Sequence, residues 1–453
     1  MLKVRIDKNL NQIIFGTKCA MIILTLLTAV PILNTFGRDI YKLCCLWGGI
    51  LVLYLFIKNR KNFWTLEYFF LFLFCCSYVV TILLNFSSHF INEVAMLGYT
   101  GLLLFTMTYY DRERTTEETK KELIKLSWLI VAVTWFFAFI AIVMFVFSVS
   151  GFFKLDGTLY IYGMFENRLW GLYNPNTGSV INYISFILSA ILLKFTGKRR
   201  KFLWSNLIFQ GICFILAQSR GGWICVIGYL VIYLLFLRKW KKEKPHIGAV
   251  KKWAYRCFVT LIVCIGVAIG SHVAKVALSY VPYGVATIFQ YEDELKDRHE
   301  KLERLDKKDK NLESITTGRL GLWKVGLKVY ENDPLFGIGY RSIDDALRED
   351  LDKGAYLNSH SGGLHNIYIT TLVSCGAVGF VLMGAFMLLV LKKMIQVFFR
   401  KDTPDYVKYM FAFIPVWLIG EFAESRIILG MNFLAVIFWI TVGYVMYFTR
   451  RKE

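Results

Sequence analysis

The chain has 453 residues, 56% of them hydrophobic, and a formal net charge of +20. So high an apolar share, gathered in long runs, excludes an ordinary soluble enzyme and indicates repeated membrane crossing. The basic excess alternates with the apolar runs and forms no basic face, which excludes nucleic acid as a partner.

Twelve apolar stretches are expected to be transmembrane helices: 18–36, 40–57, 64–84, 93–110, 124–149, 177–195, 202–218, 222–237, 254–271, 366–391, 408–424 and 427–448. Most reach the roughly 20 residues a helix needs to cross a 30 Å hydrocarbon layer. Helices are required because lipid offers the backbone no hydrogen bonds. The eighth is short enough to be little tilted or partly re-entrant. No small-residue cleavage site follows Val30–Asn34, so the first span is expected to be retained. Pro31 and Pro415 fall inside spans and are expected to kink them.

Of the 53 Lys and Arg residues, 33 lie in the terminal segments and alternate loops, and six in the short loops between. The other 14 lie in one long insert, which also holds 16 acids. Positive loops stay cytoplasmic. Both termini are thus expected in the cytoplasm, with some attraction to anionic headgroups of the bilayer, and the insert outside. The expectation is an all-α polytopic protein with a single integral membrane domain, 1–453. Its large extracytoplasmic loop would be 272–365, between spans nine and ten. All ten cysteines lie in or near spans and none in the insert. No extracellular disulfide framework and no zinc spacing is therefore expected.

Within the insert, residues 289–312 mix opposite charges at three- and four-residue spacing, which suits a solvated helix. Residues 317–331 carry Leu320, Trp323, Leu327 and Tyr330 at helical spacing. They read as an amphipathic helix lying on the membrane or on the bundle, capped by Thr316 or Thr317 and ended by Asn332-Asp333-Pro334. Residues 335–365 are Gly-rich, which permits tight turns and close approach to a ligand. Asp350-Leu351-Asp352 spells a motif used elsewhere with metal-bound nucleotides, but its charged neighbours read as a solvated loop.

Four polar groups gather on the predicted outer side. They are Asn174-Pro175-Asn176 at the mouth of the sixth span, a Ser219-Arg220-Gly221-Gly222 hairpin between the seventh and eighth, Arg319, and His365-Asn366 at the mouth of the tenth. Glu421, Glu424 and Arg426 stand near the same level. A guanidinium at a membrane boundary is costly unless it has a partner. Gly221 and Gly222 leave space beside Arg220 for a bulky anion, and arginine binds pyrophosphate through bidentate charge-assisted bonds. Read alone, Arg220 is equally a side chain reaching for headgroups, Arg319 a surface charge, and His365 an interfacial histidine bonded to backbone. A histidine beside Gly-rich turns is also placed to act as a general base near neutral pH.

Taken in order, the strings GLYNPNTGSV, AQSRGGW, TGRLGLWKVGLKVYENDPLFGIGYRS and HNIYITTLVSCGAVGF resemble the O-antigen ligase and Wzy-type polysaccharide polymerase superfamily over about residues 165–390. The resemblance implies a metal-independent, GT-C-like glycosyltransferase of the bacterial cytoplasmic membrane. Such an enzyme takes a glycan from an undecaprenyl-pyrophosphate carrier at the outer leaflet and joins it to a glycan or lipid-linked acceptor, alongside other polysaccharide assembly proteins. By the same resemblance Arg220 and Arg319 hold the donor pyrophosphate, and His365 activates the acceptor hydroxyl, with His360 as the competing base. Tyr340 and Arg341 become secondary candidates for sugar or phosphate contact. Asn176, Tyr173, Glu421 and Glu424 become candidates for hydroxyl contact, with Arg426 beside them. No cofactor is implied, because the donor is already activated. Physical chemistry agrees: preorganised arginines stabilise the charge developing on a leaving pyrophosphate, and a base opposite it favours inversion.

A polymerase is expected over a ligase. The insert and its histidine loop match Wzy-type polymerases at least as well as ligases, and the Lys-, Phe- and Ile-rich usage hints at an organism without an outer membrane. A transporter or flippase with the same number of spans should show interrupted helices, midplane charges and internal repeats. A non-catalytic scaffold or sensor would not need two arginines and a histidine beside Gly-rich loops.

Overall fold

The structure, a computed structural model, describes residues 2–86, 89–155, 158–240, 248–289, 318–350 and 363–450. The chain is an all-α polytopic membrane protein. Among the described residues, nine helices are long and apolar enough to cross a membrane, from Leu10–Thr28 to Ile367–Phe399. The seventh predicted span is the 18-residue helix Arg200–Ala217, and the twelfth is a shorter apolar helix, Phe433–Thr449. The eleventh is two short helices, Asp405–Phe411 and Phe413–Gly420. Their break has a local cause, since Pro415 lacks the N–H that would bond the Phe411 carbonyl four residues back. Pro31 kinks no span. It is the first residue of the Pro31–Lys58 helix, where its missing N–H costs nothing.

The Phe433–Arg450 helix is apolar all round and buried from Phe433 to Phe448, as a helix at the centre of a bundle must be. Ala249–Phe289 is the opposite case: it is apolar, yet most of its side chains are exposed, the condition of a helix that faces lipid. It extends beyond the boundary at 271 expected from the sequence. The charged stretch expected to be a solvated helix lies almost wholly outside the described residues, and so does His360.

Three helices are joined by buried polar groups. Thr134 Oγ1 and Asn206 Nδ2 both meet Ser185 Oγ, at 2.6 and 2.9 Å, and Asn206 Nδ2 also donates to Ser189 Oγ at 2.7 Å. Gln210 Nε2 donates to the Thr134 carbonyl at 3.0 Å. In apolar surroundings such bonds fix the register of Thr116–Val146, Pro175–Thr196 and Arg200–Ala217. Between the first two lies a feature the sequence reading lacked, an antiparallel meander of β1 (Gly151–Leu155), β2 (Thr158–Phe165) and β3 (Arg168–Gly171). Glu166 and Asn167, both at positive φ, form its second turn. Arg168 anchors it, with Nε on the Ala217 carbonyl (2.9 Å) and Nη2 on Asn176 Oδ1 (3.2 Å). The meander, Asn176 and the segment before Ser219 are thereby tied at one end of the bundle.

The Ile367–Phe399 helix is interrupted at Gly376, where φ is 64° and ψ −174°. Pro334–Gly339 fills the gap. Ala377 N and Val378 N donate to the Pro334 and Leu335 carbonyls, and Ile338 N and Gly339 N donate to those of Val373 and Ser374, all at 2.8–3.1 Å. A Cβ on Gly376 would stand 2.3 Å from the Leu335 carbonyl, and one on Gly337 would stand 2.4 Å from that of Val373. The glycines at 337 and 376 thus permit close approach of one backbone to another.

Candidate active site

The connection after Gly420 turns Glu421 and Glu424 into the protein. Glu421 is buried. Its Oε2 accepts the backbone N–H groups of Arg426 (2.6 Å) and Ile427 (3.2 Å), and its carbonyl accepts the N–H of Ile367 at 3.0 Å. Burial raises its pKa to about 7, against the pull of Arg426 and of those two N–H groups. Glu424 has three partners. Arg319 Nη2 lies 3.2 Å and Arg426 Nη2 3.4 Å from Oε1, and His365 Nδ1 lies 3.5 Å from Oε2. Burial would raise this carboxyl, but Arg426, the bond with His365 and Arg319 outweigh it and hold its pKa at about 2.

Arg319 arrives on the helix Arg319–Asn332, which ends at Asp333 as the sequence predicts. Its start differs, because Gly318, at φ 78°, takes the N-cap position expected of Thr316 or Thr317. Its buried stripe is Leu322, Gly326 and Val329, rotated from the predicted stripe that included Leu327, which is exposed. Leu364 explains the rotation. A Cβ on Gly326 would lie 2.6 Å from Leu364 Cδ2, so the glycine face is the one that can seat there. Trp323, on the flank, donates Nε1 to the Leu364 carbonyl at 2.9 Å. One short helix therefore carries Arg319 and also clamps the residue before His365.

His365 sits at φ 47°, a left-handed conformation uncommon outside glycine. Asn366, the next residue, caps the Ile367–Phe399 helix, with Oδ1 accepting from Tyr368 N (3.0 Å) and Ile369 N (3.1 Å). Its Nδ2 donates to the Phe422 carbonyl at 3.2 Å. The backbone on both sides of His365 is therefore fixed, and the imidazole is directed by it.

Ser219 caps the helix Arg220–Ile232, its Oγ accepting from Gly222 N at 3.4 Å. The Ser219–Gly222 segment is thus a helix start and not the expected hairpin. Gly221 has open space where a Cβ would be, whereas Gly222 packs on Ser179 and Phe214, so only one of the two glycines leaves room for an anion. Ser219, Gly221 and Gly222 line one small cleft with Glu421, Glu424 and Arg426. The turn that carries the exposed Arg220 therefore abuts the Glu424 cluster.

Other sequence candidates have partners outside the Glu424 cluster. The backbone N–H groups of Tyr340 and Arg341 donate to Tyr78 Oη (3.1 Å) and to buried Glu93 Oε1 (2.6 Å), which anchors their loop on Leu66–Leu84 and Phe90–Gly101. Asn176 is engaged by Arg168, and Tyr173 is buried against Phe137. Among the described residues, no three His, Cys, Asp or Glu side chains gather as a metal site would require. The central position of Glu424 has no local signal in the sequence; it follows from tertiary contacts with positions 319 and 365.

Residues 205–384 match the family model for O-antigen ligase. This stretch of the chain is similar to the O-antigen ligase family. The matched stretch takes in Arg220, Arg319 and His365, while Glu424 and Arg426 lie beyond it. No curated protein matches the chain. At the level the family supports, this O-antigen ligase-type protein is a glycan-transferring membrane enzyme. In such a protein, a carboxylate on His365 Nδ1 favours the tautomer whose lone pair is on Nε2, and neighbouring guanidinium groups suit a charged phosphate leaving group.

Proposed function

We propose that the chain transfers a glycan from an undecaprenyl-pyrophosphate carrier to an acceptor hydroxyl at the extracytoplasmic end of the bundle. It acts as a polymerase of lipid-linked repeat units. The carrying observation is the meeting of Arg319, Arg426 and His365 on Glu424 at 3.2–3.5 Å, beside the helix start that bears Arg220. The loop charge pattern supports the extracytoplasmic side.

In this reading His365 Nε2 takes the proton of the acceptor hydroxyl while Glu424 holds Nδ1. The acceptor oxygen forms a bond to the anomeric carbon as the bond from that carbon to the phosphate oxygen breaks, which inverts the centre. Undecaprenyl pyrophosphate leaves with its electron pair, and Arg220 and Arg319 hold the charge as it develops. A guanidinium has five N–H donors in a fixed fork, so Arg319 can keep one edge on Glu424 and present another to phosphate. The donor brings its own leaving group, so the step is balanced without a further reactant.

Transfer of a finished glycan to a distinct acceptor is the second reading, favoured by the O-antigen ligase description of the matched family. Purified protein incubated with a defined undecaprenyl-pyrophosphate oligosaccharide separates the two. A ladder of products supports polymerisation, and a single addition to an added acceptor supports ligation. No consumption of the donor under any acceptor condition would remove the proposal.

A further inference from the structure

A larger cavity, of about 440 Å³, opens at the same end of the bundle, within the ~300–1,000 Å³ typical of small-molecule sites. Its wall is built from ends of elements. The turn between the first two helices gives Thr28, the meander gives Tyr160 and Trp170, the first turn of Pro175–Thr196 gives Thr177, and the connection after Gly420 gives Arg426 and Asn432. Arg426 is shared with the small cleft that holds Glu421 and Glu424, so the two spaces adjoin.

The lining selects a ligand class. Most of the lining is apolar, with Ile161, Val180, Ile181 and Leu434 beside the rings of Tyr160 and Trp170, while threonine hydroxyls, asparagine amides and the Arg426 guanidinium offer donors and acceptors. A hydrocarbon tail suits the aliphatic part of the wall but leaves the guanidinium, amides and hydroxyls without partners. A free phosphate would leave the rings unused. A sugar ring uses both. Given the glycan-transfer reading above, we infer that this cavity is a carbohydrate subsite, which holds the sugar portion of a substrate against Tyr160 and Trp170 with Arg426 at its border with the cluster.

The test uses the wild-type protein in detergent micelles and the oligosaccharide released by mild acid from the lipid-linked pool of the cells the chain comes from. That probe has neither lipid nor pyrophosphate and carries a photoreactive group. Labelling at Tyr160, Trp170 or Thr177 is expected, and unlabelled oligosaccharide should compete it away. Absent labelling, or labelling confined to other segments, would overturn the site. A second arm fills the cavity with Thr177→Trp, which removes none of the groups proposed to act on the reacting atoms. Binding of the oligosaccharide should weaken at least tenfold, and unchanged binding would count against the site. In the transfer assay the same variant should raise the KM of whichever substrate, donor or acceptor, seats its sugar there, with kcat retained. Labelling of the cavity by a protein that consumes no donor would uphold the carbohydrate subsite while removing the transfer reaction. Transfer unaffected by Thr177→Trp would do the reverse.

Discussion

His365 Nδ1 faces Oε2 of Glu424 at 3.5 Å, while the other oxygen of the same carboxylate is held by Arg319 and Arg426. One oxygen therefore orients a candidate base and the other is shared by two cations, whose joint charge exceeds its own. The carboxylate is central in geometry without being a residue that the proposed chemistry consumes.

Replacing Glu424 by Gln keeps the shape and removes the charge. A carboxylate that orients a metal-binding histidine is worth about 10- to 100-fold; on that scale the loss of an orienting partner should lower kcat by at least that order, with folding intact. His365→Ala, which removes the proposed base itself, should reduce transfer to background. Donor turnover by the purified variants checks both. Full activity in His365→Ala would take the imidazole out of the mechanism, and a Glu424→Gln variant as inactive as His365→Ala would mean the carboxylate does more than orient.

Arg220 and Arg319 are expected to act on the leaving group. Removing a preorganised charge partner from a developing anion costs on the order of 10²–10³-fold in kcat, so Arg220→Ala and Arg319→Ala should each lose about that much. Arg319→Lys should recover only part, because an ammonium cannot bridge Glu424 and a phosphate with one rigid fork. Single-turnover rates on the lipid-linked donor decide this. Equal rates for Arg319→Lys and the wild type would argue for a simple point charge.

Glu421 gives a pH signature of its own. Its folded pKa of about 7 lies above the ordinary carboxylate value of 4.5, so between these values the folded protein binds more protons than the unfolded one. Stability should fall as pH rises across that window and level off above it, by up to about 3 kcal/mol. Glu424, held near 2, titrates in the folded protein below this window. Glu421→Gln should still accept the N–H groups of Arg426 and Ile427 and should flatten the slope. Thermal melts in detergent from about pH 5 to 8 measure it, with an unchanged slope in the variant as the contrary result.

The spans and the polar groups near one end were legible because membrane crossing enforces long apolar runs and polar residues stand out against them. The Arg319–Asn332 helix was legible from its spacing, but not the face it buries, since that is chosen by Leu364 from a distant part of the chain. The meander was missed because strands rich in aromatic residues between two helices resemble ragged span ends. The available clue in the sequence was Asp156-Gly157, a dipeptide favoured in hairpin turns. Glu424 was readable only as an acid near Arg426, because the convergence of positions 319 and 365 on it is made by tertiary packing.

The helix break at Gly376 was invisible in a sequence that reads as one continuous span, and it carries the strongest stability prediction. With φ 64° and ψ −174°, Gly376 occupies a region open essentially to glycine alone, and a Cβ there would overlap the Leu335 carbonyl. Backbone strain alone costs about 1–3 kcal/mol, and relief of the overlap must push Pro334–Gly339 out of the gap. Gly376→Ala should therefore lower the melting temperature clearly and uncouple the loop that links the Arg319–Asn332 helix to Glu93. Gly384→Ala, on the same helix with open space where its Cβ would be, should leave the melting temperature unchanged or slightly raised. Hydrogen exchange at the amides of Ile338 and Gly339 should rise in the first variant and not in the second. Equal protection in both would mean that the Pro334–Gly339 segment is held by its side chains and not by the broken helix.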